Sequence, residues 1–115
     1  MNSDDLKNRT KKFALRIIKL VSSLPNNIAG RTIGGQIFRS GTSVAANYRA
    51  ACRARSKAEF ISKLGIVEEE TDETILWLEI IIESGLIGKD MISSLLKEAN
   101  EICAIVVKSK KTAKG

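Results

Sequence analysis

The segment from Arg39 to Trp77, RSGTSVAANYRAACRARSKAEFISKLGIVEEETDETILW, is the most informative part of the chain. Its apolar spacing predicts two consecutive helices, the first rich in small residues and arginines, the second rich in carboxylates. Between them, Ser56 and Glu59 match the Ser-x-x-Glu capping box that opens a helix. The stretch contains no recognisable catalytic apparatus, so it indicates architecture and a partner surface rather than a reaction.

On both sides of this segment, apolar residues recur at spacings of three and four along the rest of the chain. The pattern predicts four helices, at about 4–24, 33–54, 57–84 and 90–109. Ser3, Thr32 and Asp90 are the expected N-caps, and Gly85 is the expected left-handed end of the third helix. Because short connectors force neighbouring helices to run antiparallel, we expect one all-α domain over residues 1–115, an up-down-up-down four-helix bundle.

The second helix is thin, because it carries Gly41, Ala45 and Ala46 near its middle. A glycine inside a helix costs about 1 kcal/mol relative to alanine. Its presence therefore predicts that a neighbouring backbone comes close to Gly41.

The charge of the chain is unevenly distributed around a net value of +6. Residues 1–60 hold twelve Lys/Arg against three Asp/Glu, residues 61–107 hold three against ten, and the tail 108–115 adds four lysines. Such a split predicts complementary faces that meet within or between subunits, or a basic surface for a polyanion. Solvated helix faces are the third explanation.

The sequence shows no targeting or membrane signal. The N-terminus is polar and acidic, unlike a secretory signal, and the apolar run Ile75–Ile82 is interrupted by Glu79 and too short to cross a bilayer. We therefore expect a cytoplasmic protein without a membrane partner, in which Cys52 and Cys103 are reduced, buried thiols.

The chain has no histidine, which excludes Ser-His-Asp and Cys-His sites and most zinc sites. Glu69, Glu70 and Glu73 lie along one rigid helix, whereas calcium sites need a folded loop of oxygen ligands. The glycines near residues 30–35 lack the Gly-Lys-Ser/Thr ending of a phosphate-binding loop. We expect no enzyme activity, no metal and no cofactor.

Basic residues suggest a nucleic-acid-binding surface in which cations follow a phosphate backbone and displace its counterions. The candidates are Lys12, Arg16, Lys19, Arg39, Arg49, Arg53, Arg55 and Lys57. Since only Tyr48 offers a nearby aromatic ring for stacking, binding to RNA or DNA should be electrostatic and weakly sequence-selective. Alternatively, these cations form a solvated face with salt bridges to the acidic third helix.

Two further groups of residues have structural interpretations. A polar stripe is expected to fix the register of helices 2 and 3, its carboxylates accepting hydrogen bonds from Ser43, Asn47 or an arginine. Its members are Gln36, Ser43, Asn47, Glu70 and Glu73. At the end of the third helix, Leu76, Trp77 and Ile80 project away from the apolar stripe, which predicts cover by another subunit.

An ordered series of motifs resembles the bacterial four-helix bundle protein family. The series is Gln36-Ile37-x-Arg39-Ser40-x-x-Ser43-Val44-x-x-Asn47-Tyr48, then Arg53-x-Arg55-Ser56-x-x-Glu59-Phe60, then Glu70-x-x-Glu73-x-x-x-Trp77-Leu78. The family includes proteins encoded by intervening sequences of large-subunit ribosomal RNA genes, and the resemblance covers roughly residues 6 to 110. Ala45 stands where many members carry proline, which should leave the second helix straighter.

This resemblance implies an antiparallel four-helix bundle that assembles as a homopentamer. The related accessory protein of diversity-generating retroelements implies two partners, nucleic acid and a reverse transcriptase. Either the chain is a nucleic-acid-binding module, or it is a protein-interaction or scaffolding oligomer that touches no nucleic acid.

Overall fold

A computed structural model describes all residues from 1 to 115 and contains four helices and no strand. They are α1 (Ser3–Ser23), α2 (Ile28–Cys52), α3 (Lys57–Ser84) and α4 (Lys89–Lys114). The bundle measures 44 × 21 × 19 Å, and α1 and α3 lie across its diagonal, since no Cα pair between them comes within 8 Å. The all-α four-helix bundle predicted from the sequence is confirmed.

The first two helices begin earlier than predicted. Asn2 rather than Ser3 caps α1, forming a reciprocal capping box with Asp5. The start of α2 at Thr32 was wrong: Asn27 is the N-cap, and its side chain accepts a hydrogen bond of 2.8 Å from the Gly30 backbone N–H. Asparagine is a stronger cap than threonine, which adds a full turn to α2.

The boundaries of α3 agree with the sequence, whereas those of α4 do not. The Ser56 hydroxyl accepts from the Glu59 N–H at 3.1 Å, and Gly85 ends α3 with a φ of 73°. Asp90 lies in the first turn of α4 rather than at its cap, which is Gly88, and the helix continues to Lys114 instead of ending near residue 109. None of the four helices combines the length and apolar character needed to cross a membrane.

The core follows the predicted apolar stripes, and all four helices contribute side chains to it. The largest side chains that are fully buried include Phe13, Ile37, Leu64 and Ile102. Burying a side chain of this kind contributes about 1.5–3 kcal/mol.

The thin middle of α2 accommodates a side chain from α1. A Cβ atom placed on Gly41 would lie 2.8 Å from both Cγ1 and Cγ2 of Ile17. The neighbour at Gly41 is therefore the branched side chain of Ile17 and not a backbone, which corrects the sequence prediction. Because Ile17 fits only opposite a glycine, this contact sets the register between α1 and α2.

The contact between α1 and α4 is the least extensive of the four contacts between neighbouring helices. One arginine links these two helices. Arg9 makes two hydrogen bonds of 2.7 Å to the Glu98 carboxylate and one of 2.9 Å to Glu101. The hydrogen bond from Arg9 lowers the pKa of Glu98 below its ordinary value, although partial burial opposes the shift. This cluster holds the N-terminal half of α1 against α4.

We expect Gly41→Ala to be less stable than Gly35→Ala by roughly 1–3 kcal/mol, the usual cost of overpacking. Gly35 lies in the same helix with no atom within 4 Å of an added Cβ, so both variants gain the same helix propensity. Urea unfolding of the two variants measures the difference. Equal free energies of unfolding would contradict the close packing of Ile17 on Gly41.

We expect Glu98→Gln to lower the free energy of unfolding at pH 7 by up to about 1 kcal/mol, because Arg9 loses a charged partner. The lowered pKa of Glu98 means that its carboxylate stabilises the fold above its unfolded pKa of about 4.3 and stops doing so as pH falls further. Denaturation at pH 7 and pH 2 should therefore show a difference from wild type only at pH 7. A pH-independent difference would indicate a packing effect instead.

Candidate nucleic-acid interface

The predicted cations fall into three separate groups. The first consists of Arg39 alone, which is paired with carboxylates of α3. Its guanidinium donates a hydrogen bond of 2.7 Å to Glu70 and a second to Glu73. The bond to Glu70 is the largest cause of the raised pKa of Arg39. Arg39 therefore joins α2 to α3 and is not available to a phosphate while these ion pairs persist.

The predicted polar stripe contains this ion pair but is otherwise less connected than expected. Asn47 donates to the Ser43 carbonyl at 2.9 Å, within its own helix, and Gln36 is exposed. The polar contact that sequence reasoning missed is buried: a hydrogen bond of 2.9 Å joins the hydroxyls of Ser40 and Thr74. It lies beside Arg39 and, with it, fixes the register of α2 against α3.

The second group, Lys12, Arg16 and Lys19, is exposed on the side of α1 that faces α4. Arg16 donates to the Ser94 hydroxyl at 2.7 Å, and none of the three cations forms a salt bridge. Arg16 and Lys19 border an open groove of 320 Å³ whose floor is apolar, formed by Leu20, Met91, Ile92 and Leu95. This group lies apart from the arginines of α2.

The third group lies where α2 turns into α3, and the fold adds further cations to it. The antiparallel bundle brings the start of α1, the α2–α3 turn and the end of α4 to one end of the long axis. We call this end the basic end. Its cations are Lys7, Lys11, Arg49, Arg53, Arg55, Lys57, Lys63, Lys108, Lys111 and Lys114.

Few of these charges are neutralised within the chain. Lys7 forms a salt bridge of 3.3 Å with Asp4, and no other cation of the basic end is paired with a carboxylate. Besides Asp4, the acidic side chains in the first turns of α1 and α3 are Asp5 and Glu59, and the nearby carboxylates of Glu98, Glu101 and Glu68 are paired with Arg9 and Lys110. The basic end therefore carries a surplus of exposed positive charge, which the acidic middle of the bundle does not offset.

Two shallow depressions run together across the basic end. One, of 150 Å³, lies between α1 and α2 and is lined by Lys7, Lys11, Ala45, Ala46 and Arg49. The other, of 520 Å³, lies between α2 and α3 and is lined by Ala46, Arg49, Ala50, Arg53, Arg55, Glu59 and Lys63. Because Arg49 borders both, the cations surround one continuous concave surface with an alanine floor.

The aromatic residue predicted to be near this surface is buried. Tyr48 is 5% exposed, and this burial raises the pKa of its hydroxyl. Its ring cannot stack on a base without unfolding part of α2. No group of three or more His, Cys, Asp or Glu side chains is arranged to hold a metal ion.

Sequence reasoning missed Lys7, Lys11 and Lys63 as members of this surface. Lys7 and Lys11 are four residues apart, a signal for one helix face, but only the bundle shows that this face adjoins Arg49. Lys63 belongs to the otherwise acidic α3, and its proximity to Arg53 and Arg55 follows from the antiparallel turn.

The residues predicted to lie in an oligomer interface differ in exposure. Leu76 is 48% exposed, whereas Trp77 and Ile80 are half-buried. The Trp77 indole N–H lies 3.4 Å from a Glu73 carboxylate oxygen. Leu76 is thus the apolar side chain of this group that most lacks cover.

The comparisons with known proteins agree with the family resemblance. Residues 4–108 match the 23S rRNA-intervening sequence protein family, and no curated protein matches the chain. The chain is similar to a crystal structure of a protein of unknown function from the S23 ribosomal protein family of Bacteroides thetaiotaomicron. The TM-score is 0.89 at 36% identity, covering 96% of this chain and 99% of that one. The chain belongs to the 23S rRNA-intervening sequence protein family.

Proposed function

We propose that this protein is a non-enzymatic, oligomeric helical bundle that binds nucleic acid, RNA or DNA, through its basic end. The observation that carries the proposal is the surplus of exposed cations around Arg49, Arg53 and Arg55, which have no carboxylate partner in the chain.

The physical basis of this binding is the release of counterions. Each phosphate that a lysine or arginine neutralises frees a condensed cation, so affinity falls as salt rises. The helices fix the positions of these side chains, because Arg49 and Arg53 are four residues apart on one face and the α2–α3 turn places Arg55 and Lys57 next to them. A phosphate backbone meets several cations at once.

The same surface gives little basis for sequence selectivity. Contacts to phosphates position a nucleic acid without identifying its bases. The floor between the cations consists of alanine side chains, and Tyr48 is buried. We therefore propose binding that depends on charge and on the shape of the nucleic-acid backbone. Four of the predicted cations lie outside the proposed contact: Lys12, Arg16, Lys19 and Arg39.

We expect Arg49→Gln/Arg53→Gln to weaken binding to RNA and DNA and to reduce the steepness of log Kd against log salt by about 2, about 1 per lost phosphate contact. Fluorescence anisotropy over a salt series measures both effects. The matched control, Arg31→Gln/Lys89→Gln, removes the same charge at the opposite end of the bundle and should bind like the wild type.

Two results would contradict the basic end as the binding surface. One is a wild-type affinity that does not change with salt. The other is equal weakening in both double variants, which would indicate that net charge matters and its location does not.

A second function, that of a protein-interaction or scaffolding oligomer, is favoured by the exposed Leu76. An apolar side chain beside the half-buried Trp77 and Ile80 is poorly covered in a single chain and would be buried by a second copy. The homopentamer and the reverse transcriptase partner stay predictions of the family resemblance. Assembly and nucleic-acid binding are compatible, since several basic ends acting together bind a polyanion more tightly.

We expect Leu76→Asp to lower the solution mass measured by light scattering, because the variant places a charge in the proposed contact. Leu76 is half exposed, so the fold should persist, as circular dichroism would show. Ile28→Asp is the control, since Ile28 is 77% exposed at the start of α2. An unchanged mass for Leu76→Asp would contradict the role of this surface in assembly.

A further inference from the structure

The outer face of α1 carries an apolar stripe bordered by lysines. Lys11, Leu15, Ile18 and Ser22 follow one another at spacings of four, three and four, which keeps them on one side of the helix. Leu15 is 59% and Ile18 is 38% exposed. Lys12 and Lys19 flank this stripe on the side toward α4, and neither forms a salt bridge within the chain.

The outer face of α3 carries a stripe of the same spacing and opposite charge. Its members are Glu69, Glu73, Leu76, Ile80 and Glu83. Asp72 and Glu79 flank this stripe on the side toward α4, and both are exposed without a salt bridge. Glu73 is held by Arg39, whereas Glu69 and Glu83 have no cation partner.

The two stripes lie at the same height on opposite sides of the bundle. Ile17 packs on Gly41, and Ser40, the residue next to Gly41, is hydrogen-bonded to Thr74. Since α1 and α3 run in the same direction, Ile17 and Thr74 are level to within about 3 Å, two residues at 1.5 Å rise. Lys11 is therefore level with Glu69, and Ile18 is level with Leu76, again to within about 3 Å.

We infer that α1 of one copy packs in parallel against α3 of a second copy, so that the lysine-flanked stripe meets the glutamate-flanked stripe. The inference rests on the second proposed function, self-association, and names the two surfaces that produce it. With the copies side by side and without a shift along the axis, Lys11 stands opposite Glu69 and Ile18 opposite Leu76. Ile18 and Leu76 cover one another, while Leu15 comes level with Glu73 and Ser22 comes level with Ile80.

The flanking charges fit the same arrangement. When two parallel helices meet face to face, the e positions of one face the g positions of the other. With Leu15 and Leu76 as core positions, Lys12 and Lys19 occupy e positions on α1, and Asp72 and Glu79 occupy g positions on α3. Lys19 then lies between the levels of Asp72 and Glu79, within reach of both carboxylates.

A second copy of this chain is the occupant that the observations favour. The spacing of the stripes, their heights and the signs of their flanks all match within one sequence. Because the two surfaces differ and face opposite ways, each copy uses both, and the contact repeats head to tail to form a ring or a filament. Lys12 and Lys19 thereby approach carboxylates of a second copy, whereas they form no salt bridge within the single chain.

Charge exchange tests this pairing. Lys12→Glu/Lys19→Glu and Asp72→Lys/Glu79→Lys should each reduce the solution mass, measured by light scattering, to that of one 12.6 kDa chain. In an equimolar mixture each reversed surface finds a reversed partner, so the mass should rise again. The control Lys89→Glu/Lys97→Glu changes the charge equally on α4 and should assemble like the wild type.

Each of the other results overturns a defined part of the account. A wild-type mass of one chain at all concentrations overturns both self-association and this interface, leaving nucleic-acid binding at the basic end to its own test. If the wild type is oligomeric, two results overturn the α1–α3 pairing alone. One is a charge-reversed variant that still assembles, and the other is a mixture that remains at the mass of one chain.

Discussion

Three contacts at the middle of α2 fix the register among α1, α2 and α3. Ile17 fits against α2 only at Gly41, and one residue away Ser40 is hydrogen-bonded to Thr74 while Arg39 holds Glu70 and Glu73. A shift of one turn would drive Ile17 into a side chain and leave buried hydroxyls without partners, which costs about 1–3 kcal/mol for each unsatisfied group. This register places the cations at one end and the two outer stripes at one height.

Charge is sorted along and around the bundle rather than balanced locally. Arg9, Arg39 and Lys110 each bridge two helices through carboxylates, so these cations contribute to the fold. The arginines of the α2–α3 turn have no such partners, and their mutual repulsion is relieved when an external anion approaches. The lysines on the outer face of α1 and the carboxylates on the outer face of α3 are instead proposed to meet between two copies of the chain. Lys11 is the one cation that belongs both to this outer face and to the basic end.

The sequence predicted the helices well because apolar periodicity reflects burial directly. The start of α2 was predicted at Thr32 because Asn26, Asn27 and Gly30 resemble a loop. In the structure, Asn27 instead caps a helix that contains Gly30. Gly41 correctly indicated a close approach, but whether a backbone or a side chain approaches depends on the α1–α2 register, which periodicity does not contain.

The candidate site was predicted only in part for the same reason. Helical spacing indicated which cations share a face, but not which carboxylates on other helices neutralise them. Arg39 was therefore grouped with free arginines although it is paired, and Lys63 was left out although the turn brings it beside Arg53. Tyr48 lies on the apolar stripe of α2, and its packing against the core shows that its ring is unavailable.

Lysine acylation footprinting, read by mass spectrometry with and without a short RNA, shows whether the basic end is the surface that binds nucleic acid. RNA is expected to protect Lys57, Lys63 and Lys108 at the basic end, and added salt should reverse the protection. Lys89 and Lys97 should react equally in both conditions. Equal protection along the whole bundle, or protection confined to Lys89 and Lys97, would contradict binding at the basic end.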